Sequence, residues 1–273
     1  MGVRKNQNTL TVGEWSGFVD AVIELKRRGQ YDDFVRIHCE TMISDYSGGR
    51  RVGHGAPSFL PWHRLYLIKF ECALQTIDPR VTIPYWDWTV DNSSNSSVWS
   101  PARLGGNGRA SDGQVTTGPF AYGTGDWTLG VRLDDRPYLT RNMGVTAKSL
   151  PTPVQLRTVL RRGTYDVAPW NTTSVTGFRD GLEGFVAPWL HNAVHDWVGG
   201  HMLTAVSPND PAFWLHHSFV DKCWADWCAI HPDASYLPAG GTPNVIDIDD
   251  PLPPWNDATP GDVLDYTRYY TYA

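Results

Sequence analysis

A positive charge excess is the first thing this chain lacks. Its 29 aspartates and glutamates outnumber its 23 lysines and arginines, and the formal net charge is −6. Nucleic-acid-binding domains present a basic face to the phosphate backbone, and segments that bind membrane surfaces carry cationic runs. We therefore expect neither a nucleic acid nor a membrane as a partner.

Long apolar runs are missing as well. No segment approaches the ~18 apolar residues that indicate a membrane-spanning helix. The N-terminal sequence MGVRKNQNTLT lacks the apolar stretch of a secretion signal. We expect no anchor and no export signal of the chain's own, and hence a protein that is cytoplasmic or exported together with a partner protein.

Cysteines are few and show no C-x-x-C spacing of the kind used in metal or redox sites. All four fall in segments with helical periodicity, so we expect buried free thiols. The four are Cys39, Cys72, Cys223 and Cys228. The 273 residues, 41% of them hydrophobic, suffice for one large core, and we expect a single domain over residues 1–273.

Apolar residues recur at intervals of three and four in several segments, which indicates helices. Gly29 suits a helix end, Pro61 suits a first helical position, and Asp210 before Pro211 suits a helix start. The predicted helices cover residues 11–28, 32–44, 60–78, 153–162, 188–198 and 211–230, with a helical turn at 178–184.

The rest of the chain is poor in helical signals. Residues 85–88 read as a short extended piece, and the tail from residue 239 reads as an ordered wrap over the surface. Residues 89–176 are rich in Asn, Ser, Gly, Thr and Pro. Because so long a loop-rich insertion is unusual in a compact domain, we expect it to cover or scaffold a site.

Six of the nine histidines fall into two groups of three. Two members of the C-terminal group are four residues apart, which places both imidazoles on one helix face. A lone histidine on an apolar face is more often a core residue, but two such triplets predict metal binding. The groups are His38, His54 and His63, and His191, His195 and His217.

The choice of metal is open on ligand type alone, since imidazole suits copper, zinc, iron and nickel. A zinc hydrolase using one triplet is one alternative. However, Asn192 stands where the H-E-x-x-H motif of zinc proteases has its glutamate. Two-metal hydrolases usually mix carboxylates with histidines, and neither triplet has a carboxylate in ligand register. Two metals bound only by imidazole favour copper acting on O2.

The motifs around the triplets resemble those of the type 3 copper proteins, and among them the bacterial tyrosinases and polyphenol oxidases. The resemblance covers nearly the whole chain, through VRKNQ, PSFLPWHR, TIPYWDW, HNAVHDWVGG and SPNDPAFWLHHSFVDKCW. It implies a mainly α fold, a four-helix bundle enclosing a dicopper centre, with long loop-rich insertions and a few short strands.

The resemblance also assigns the ligands of the two copper ions. Copper A would be bound by the N-terminal triplet and copper B by the C-terminal one. In the HH pair the second residue would be the ligand, so His216 is expected to be a neighbour. His201 and His231 match no ligand position and are expected to be surface or lining residues.

Further residues receive roles on the same basis. Glu183 and Asn192 match a pair that holds a water thought to deprotonate monophenols in hydroxylating members of the family. Val52 stands where some fungal and plant members have a cysteine thioether-linked to a copper ligand, so that cross-link is expected to be absent. Asp196 lies where substrate preference is tuned, and a carboxylate there could attract an amine or repel a carboxylate.

Other expectations come from position along the chain. His201, Leu203 and Ala205 lie in the same loop and are expected to shape the pocket mouth. Arg64 follows one ligand and Asp221 lies one turn beyond another, so an ion pair would lock two ligand helices together. A solvated surface pair is the alternative.

The implied function is a dicopper polyphenol oxidase that uses O2 to oxidise o-diphenols to o-quinones and also hydroxylates monophenols. A catechol or o-aminophenol oxidase without that second activity is the main alternative. An oxygen carrier of hemocyanin type and a zinc hydrolase are further ones. The resemblance also implies a phenolic substrate and a small copper-delivering caddie protein that carries the export signal.

Overall fold

The computed structural model describes residues 2–123 and 126–273. This part of the chain is mainly helical, as predicted. The α-helices are α1 (Val12–Arg27), α2 (Gln30–Asp45), α3 (Phe59–Gln75), α4 (Pro153–Leu160), α5 (Phe178–Glu183), α6 (Leu190–Val198) and α7 (Ala212–Ile230). Six short 3-10 helices and two three-residue strands complete the elements of the described residues.

The helix ends follow from local chemistry. The Thr11 side chain accepts a hydrogen bond from the Glu14 backbone, and Glu14 bonds back to Thr11, which forms a capping box before α1. Gly29 separates α1 from α2 with φ of +75°, a left-handed conformation that glycine adopts without strain. Pro61 is the third residue of α3 rather than the first, which costs no hydrogen bond because first-turn N–H groups have no intrahelical partner.

The start of α7 lies one residue later than predicted. Pro211 precedes the helix, and Asp210 Oδ1 accepts a hydrogen bond from Ala212 N at 3.0 Å. The same carboxylate is held by Arg141 Nε at 2.7 Å, and both side chains are fully buried. The start of a ligand-bearing helix is therefore fixed by a residue from the 89–176 insertion.

The helices with histidines lie together at the centre. α7 packs on α3 and on α6, while α1 covers α2 and α3. In the core between α3 and α7, the rings of Phe70 and Trp214 stack with centroids 3.5 Å apart. α3 and α7 are buried along most of their length, because their sequences are apolar on nearly every face. The predicted four-helix bundle of α2, α3, α6 and α7 is confirmed.

The insertion and the tail are both part of the packed structure. Trp99, Phe120 and Trp127 of the insertion are buried. The tail is anchored where Trp62 Nε1 donates to Pro253 O at 2.7 Å. Its last residues form β2 (Tyr270–Tyr272), which pairs in parallel with β1 (Gly2–Arg4).

Two further expectations can be compared with the structure. All four cysteines are free, and Cys39 and Cys223 are buried as predicted. Cys72, on the outward face of α3, is exposed and Cys228 is only partly buried, so the prediction is wrong for these two. Among the described residues, no helix is long and apolar enough to cross a membrane.

Candidate metal centre

The N-terminal triplet is assembled from two helices and a loop. His38 lies on α2, His63 in the first turns of α3, and His54 in the connection between them. The ring centroid of His54 lies 5.0 Å from that of His38 and 5.1 Å from that of His63. All three are buried, and their candidate ligand atoms lie within 4.8 Å of one another.

The C-terminal triplet is assembled from α6 and α7. The centroids of His191 and His195, one helical turn apart, are separated by 4.5 Å. His217 on α7 faces them, with its Nε2 atom 3.2 Å from His191 Nε2. The helical spacing seen in the sequence therefore produces the predicted triplet.

The two triplets face each other. The rings of His63 and His217 are nearly parallel, at 12°, with centroids 4.3 Å apart. Within the described residues, neither ligand group contains an aspartate or a glutamate. Residues from both ends of the chain thus form one site bounded by imidazoles.

Hydrogen bonds fix the orientation of most of these rings. His38 Nδ1 lies 2.8 Å from Ala205 O. His63 Nδ1 lies 2.9 Å from Phe59 O, and His195 Nδ1 lies 2.6 Å from Met202 O. A carbonyl oxygen only accepts, so each Nδ1 carries the proton and donates it. Nε2 therefore presents its lone pair to the interior, as a metal ligand must.

The absence of hydrogen-bond partners for several of these lone pairs shows that metal ions fit the site. The Nε2 atoms of His38, His63 and His195 are buried and have no hydrogen-bond partner. Buried polar atoms without a partner are costly and uncommon, so their convergence indicates bound ions. Magnesium and calcium prefer oxygen ligands, whereas imidazole suits copper and zinc. The residues present fit two copper ions.

Burial also sets the charge of the rings. Desolvation lowers the pKa of His38, His63, His191 and His217 well below the usual value, and lowers that of His195 to about 4. These five imidazoles are therefore neutral at neutral pH, the form that binds metals.

His216 lies closer to the centre than the sequence alone indicates. It is fully buried, stacks on His191 with centroids 5.0 Å apart, and neither of its ring nitrogens has a hydrogen-bond partner. Its candidate ligand atom lies within the same 4.8 Å limit as the C-terminal triplet. That His217 rather than His216 is the ligand stays a prediction.

Glu183 connects the two triplets. Its backbone oxygen lies 3.1 Å from His191 Nδ1, and its Oε1 accepts a hydrogen bond from Gly55 N at 2.6 Å, directly after His54. Burial raises the pKa of the Glu183 carboxyl, while the nearby Arg179 opposes the shift. Asn192 Oδ1 lies 2.9 Å from His191 Nδ1.

A cavity of about 340 Å³ lies beside these groups. Asp196 and Leu203 line it, as the sequence predicts. His201 and Ala205 do not line it, which corrects their assignment to the pocket mouth. His201 is buried, and its Nδ1 accepts from Thr140 N at 3.0 Å. The backbone oxygen of Ala205 instead accepts from His38. The cavity is lined by His38, Met42, Tyr46, His54, Glu183, Gly184, Phe185, Trp189, His191, Asn192, His195, Asp196, Met202, Leu203, Thr204 and Ser207.

A larger cleft of about 1120 Å³ lies elsewhere, between the N-terminal residues, α3 and the C-terminal tail. None of the described residues that line it is a histidine. Because all six predicted ligands lie away from this cleft, its size does not make it the reactive site.

Several supporting residues were not found from the sequence. Asp45 Oδ2 lies 3.1 Å from His54 Nδ1, and Arg179 bonds to Glu183 Oε2 at 3.1 Å. Asp45 gives no signal in the sequence, because its distance of nine residues from His54 matches no local pattern. Arg179 could have been noticed, since it lies four residues before Glu183 on a helix.

Similar sequences extend over the whole chain. The chain is 54% identical to a tyrosinase of Streptomyces glaucescens and to one of Streptomyces antibioticus, in each case over 100% of this chain and 99% of the relative. It is 48% identical to the grixazone synthase of Streptomyces griseus, over 99% of this chain and 98% of that protein. Residues 28–230 match the family described as the common central domain of tyrosinase.

Solved structures show the same fold at lower identity. A polyphenol oxidase of Thermothelomyces thermophila matches with a TM-score of 0.65 and 24% identity, over 84% of this chain and 71% of that one. A functional unit of octopus hemocyanin matches with the same score and identity, over 100% and 68%. The tyrosinase of Burkholderia thailandensis has a TM-score of 0.61 and 18% identity, over 100% and 73%.

Two facing imidazole triplets in a helical bundle with this fold define the class of type 3 copper proteins. Within that class, the full-length identities are to bacterial enzymes. The chain belongs to the tyrosinase family and is a copper-dependent oxidoreductase.

Proposed function

We propose that the chain oxidises o-diphenols to o-quinones with O2 and also hydroxylates monophenols. The observation that carries the proposal is the pair of facing triplets beside a cavity containing Glu183 and Asn192. Two copper ions held by the triplets would supply the binding of O2 and accept electrons from the phenol.

The cavity suits a single aromatic ring. Its volume of about 340 Å³ lies at the small end of the range for ligand pockets. Phe185, Trp189 and Met202 give it an apolar lining, and the predicted ligands His191 and His195 also line it. A phenol that enters with its hydroxyl towards the histidines would leave its substituent at the mouth.

Glu183 is the group that would take the phenolic proton, through a water shared with Asn192. Glu183 lines the cavity, where its carboxylate is bonded to the loop of His54 and its backbone oxygen lies against His191. A general base must come within hydrogen-bond reach of the proton directly or through one water, and this position allows it. The alternative role of Asn192, ordering the His191 ring through its Oδ1, is compatible with the same geometry.

Asp196 would select among substituents at the mouth. It follows His195 and lines the cavity, and none of the described lining residues is a lysine or an arginine. Its charge therefore has no basic partner in the cavity wall. We expect it to favour substrates with an ammonium group over those with a carboxylate.

The main competing function is oxidation of catechols or o-aminophenols without hydroxylation. The relative named grixazone synthase is 48% identical over nearly its full length, against 54% for the tyrosinases. Family membership alone therefore leaves the substrate open. A carrier of hemocyanin type is less well supported, because the mouth residues Trp189, Leu203 and Tyr46 are exposed and leave the cavity reachable.

The deciding experiment compares tyrosine, a catechol and an o-aminophenol side by side on the copper-loaded protein. We expect turnover of both tyrosine and the catechol. Turnover of the catechol or the aminophenol alone would refute the hydroxylase part of the proposal. Zinc in place of copper in the purified protein, with hydrolytic activity, would refute all of it.

A small copper-delivering caddie protein is the proposed partner. The exposed apolar side chains at the cavity mouth, Tyr46, Trp189 and Leu203, offer a surface for it beside the metal centre. Export together with that partner would follow from its carrying the signal. Co-purification of a copper-bound complex, weakened by Trp189→Ala, is the test.

A further inference from the structure

Behind Glu183, away from the cavity, Arg179 is buried among carboxylates. Its Nε lies 2.8 Å from Asp166 Oδ2, and its Nη2 lies 3.0 Å from Asp166 Oδ1, a two-pronged contact. Nη2 also lies 2.7 Å from Asp180 Oδ1, and Nη1 lies 3.1 Å from Glu183 Oε2. All four side chains are at most 1% exposed.

The charges in this cluster do not balance if every carboxyl group is ionised. The Arg179 guanidinium would then face three carboxylates in a buried site, where the partly buried Arg162 beside Asp180 is a further cation. Burial raises the pKa of Asp166 to about 7 and raises that of Asp180, in each case against the opposing effect of Arg179. A proton held by the two aspartates would leave the positive charge of Arg179 to compensate Glu183.

We propose that Arg179, anchored by Asp166, is a positioning residue that holds the Glu183 carboxylate in its orientation beside the metal centre. The inference rests on the proposed role of Glu183 as the base for monophenols. The two oxygens of Glu183 are bound from different sides, Oε1 by the Gly55 N–H and Oε2 by Arg179. A carboxylate fixed at both oxygens keeps its position when substrate enters, as an effective catalytic base requires.

The fold supplies this anchor from the 89–176 insertion. Asp166 follows Tyr165, whose hydroxyl donates to Pro57 O at 2.6 Å in the connection that contains His54. Arg162 Nη1 donates to Gly177 O at 2.8 Å just before α5. The insertion therefore contacts both the start of the helix that carries Glu183 and the loop that carries His54. This contact gives part of the insertion a functional reason to be ordered.

Arg141 provides a matched comparison. It makes the same two-pronged contact, to Asp210, through Nε at 2.7 Å and Nη2 at 2.8 Å, and both residues are fully buried. No contact joins it to Glu183 among the described residues. A purely structural role for buried Arg–Asp pairs predicts similar consequences when either arginine becomes lysine, because lysine keeps the charge but cannot bind at two points.

The experiment measures kcat for a monophenol and for the corresponding catechol in the copper-loaded Arg179→Lys, Asp166→Asn and Arg141→Lys variants. Copper content and melting temperature are recorded for each. We expect Arg179→Lys to lower the ratio of monophenol to catechol kcat by about tenfold or more, which is part of the ~10²–10⁴-fold contribution of a general base. Asp166→Asn should lower the ratio in the same direction, because an amide oxygen can accept only one of the two Arg179 N–H bonds that the carboxylate accepts. Arg141→Lys should lower the melting temperature and leave the ratio unchanged.

The outcomes distinguish the positioning role of Arg179 from the proposed role of Glu183 as the base. If Glu183→Gln leaves the ratio unchanged, or the wild type oxidises only catechols, the base role of Glu183 fails. If Glu183→Gln lowers the ratio but neither Arg179→Lys nor Asp166→Asn does, the positioning role fails alone. An equal fall in the ratio for Arg141→Lys would also overturn it. Should Arg179→Lys not fold, the isosteric Asp166→Asn variant decides the question.

Discussion

Arg64 and Asp221 join the two helices that present His63 and His217 to each other. Arg64 Nε lies 2.6 Å from Asp221 Oδ1, and neither side chain is more than 3% exposed. Arg64 directly follows His63, whereas Asp221 lies one helical turn after His217. The helices α3 and α7 are thus linked immediately behind the facing rings. We infer that this pair sets the separation of the two triplets.

Replacing Asp221 with asparagine is expected to destabilise the protein severely. The change leaves the Arg64 guanidinium buried without its counter-charge, which typically costs about 3–5 kcal/mol in the free energy of unfolding. Tyr270 and Tyr272 also donate hydroxyl hydrogen bonds to this carboxylate, so the tail is loosened as well. Urea denaturation measures the effect.

The matched control lies on the same helix. Asp226 pairs with Lys222 at 2.8 Å, but both groups are partly exposed. Asp226→Asn is expected to change the free energy of unfolding by about 0.5 kcal/mol or less, as is usual for surface pairs. Equal losses in the two variants would show that burial of the Arg64 pair has no special importance.

The sequence indicates this pair through helix spacing alone. Arg64 and Asp221 each lie near a predicted ligand, so their proximity follows once the triplets are assumed to meet. Helix spacing does not predict the other contacts of this pair. These are the hydrogen bonds of Asp221 with Tyr270 and Tyr272, and those of Arg64 with the backbone oxygens of residues 263 and 264. They depend on the path of the tail, which has no periodic pattern and is positioned by packing.

Removing a single ligand is expected to empty one metal position more than the other. His54→Ala should reduce copper from two ions per chain to about one, because only the N-terminal triplet loses an imidazole lone pair. His195→Ala should do the same for the other triplet. Atomic absorption on protein reloaded with copper measures the content.

His231→Ala is the control for that series. Its Nε2 contacts Leu160 O at 2.9 Å, and it belongs to neither ligand group. It should keep two copper ions. A full copper complement in His54→Ala or His195→Ala would contradict the assignment. His216→Ala extends the test, since loss of copper in that variant would make His216 a ligand.

Asp196→Asn is expected to shift preference among charged catechols. Removing the carboxylate should lower kcat/KM for an amine-bearing catechol and raise it for an acid-bearing one, each by a few-fold at a half-exposed site. A neutral catechol serves as the internal reference. Unchanged ratios among the three substrates would remove Asp196 from the specificity determinants.

The cavity shows where sequence reasoning reaches its limit. Asp196 and Leu203 line the cavity, and the sequence indicates both because each lies close to a predicted ligand or on the same loop. His201 does not line it, since the 3-10 turn at residues 200–203 directs its ring inward to Thr140. Side-chain direction in such a turn depends on backbone geometry that no period in the sequence reveals.

Asp166 is expected to make stability fall as pH rises. Its folded pKa of about 7, raised by burial against the effect of Arg179, exceeds the value of about 3.9 for an unfolded aspartate. Between these values the folded protein holds a proton that the unfolded chain has released. The stabilisation is therefore complete below about pH 4 and lost as pH rises towards 7. Asp166→Asn, whose amide cannot ionise, removes this dependence.

The measurement is the difference in free energy of unfolding between wild type and Asp166→Asn, at several pH values and equal copper content. Contributions of groups outside the Arg179 cluster cancel in that difference. We expect the free energy of unfolding of the wild type to fall relative to that of Asp166→Asn as pH rises from 5 to 7. Asp78→Asn is the control, because hydrogen bonds from Arg80 lower the pKa of the partly exposed Asp78 carboxyl to about 2. Its difference from wild type should stay constant over the same range, since that carboxyl is ionised in both states. A constant difference for Asp166→Asn as well would mean that the buried cluster retains no proton near neutral pH.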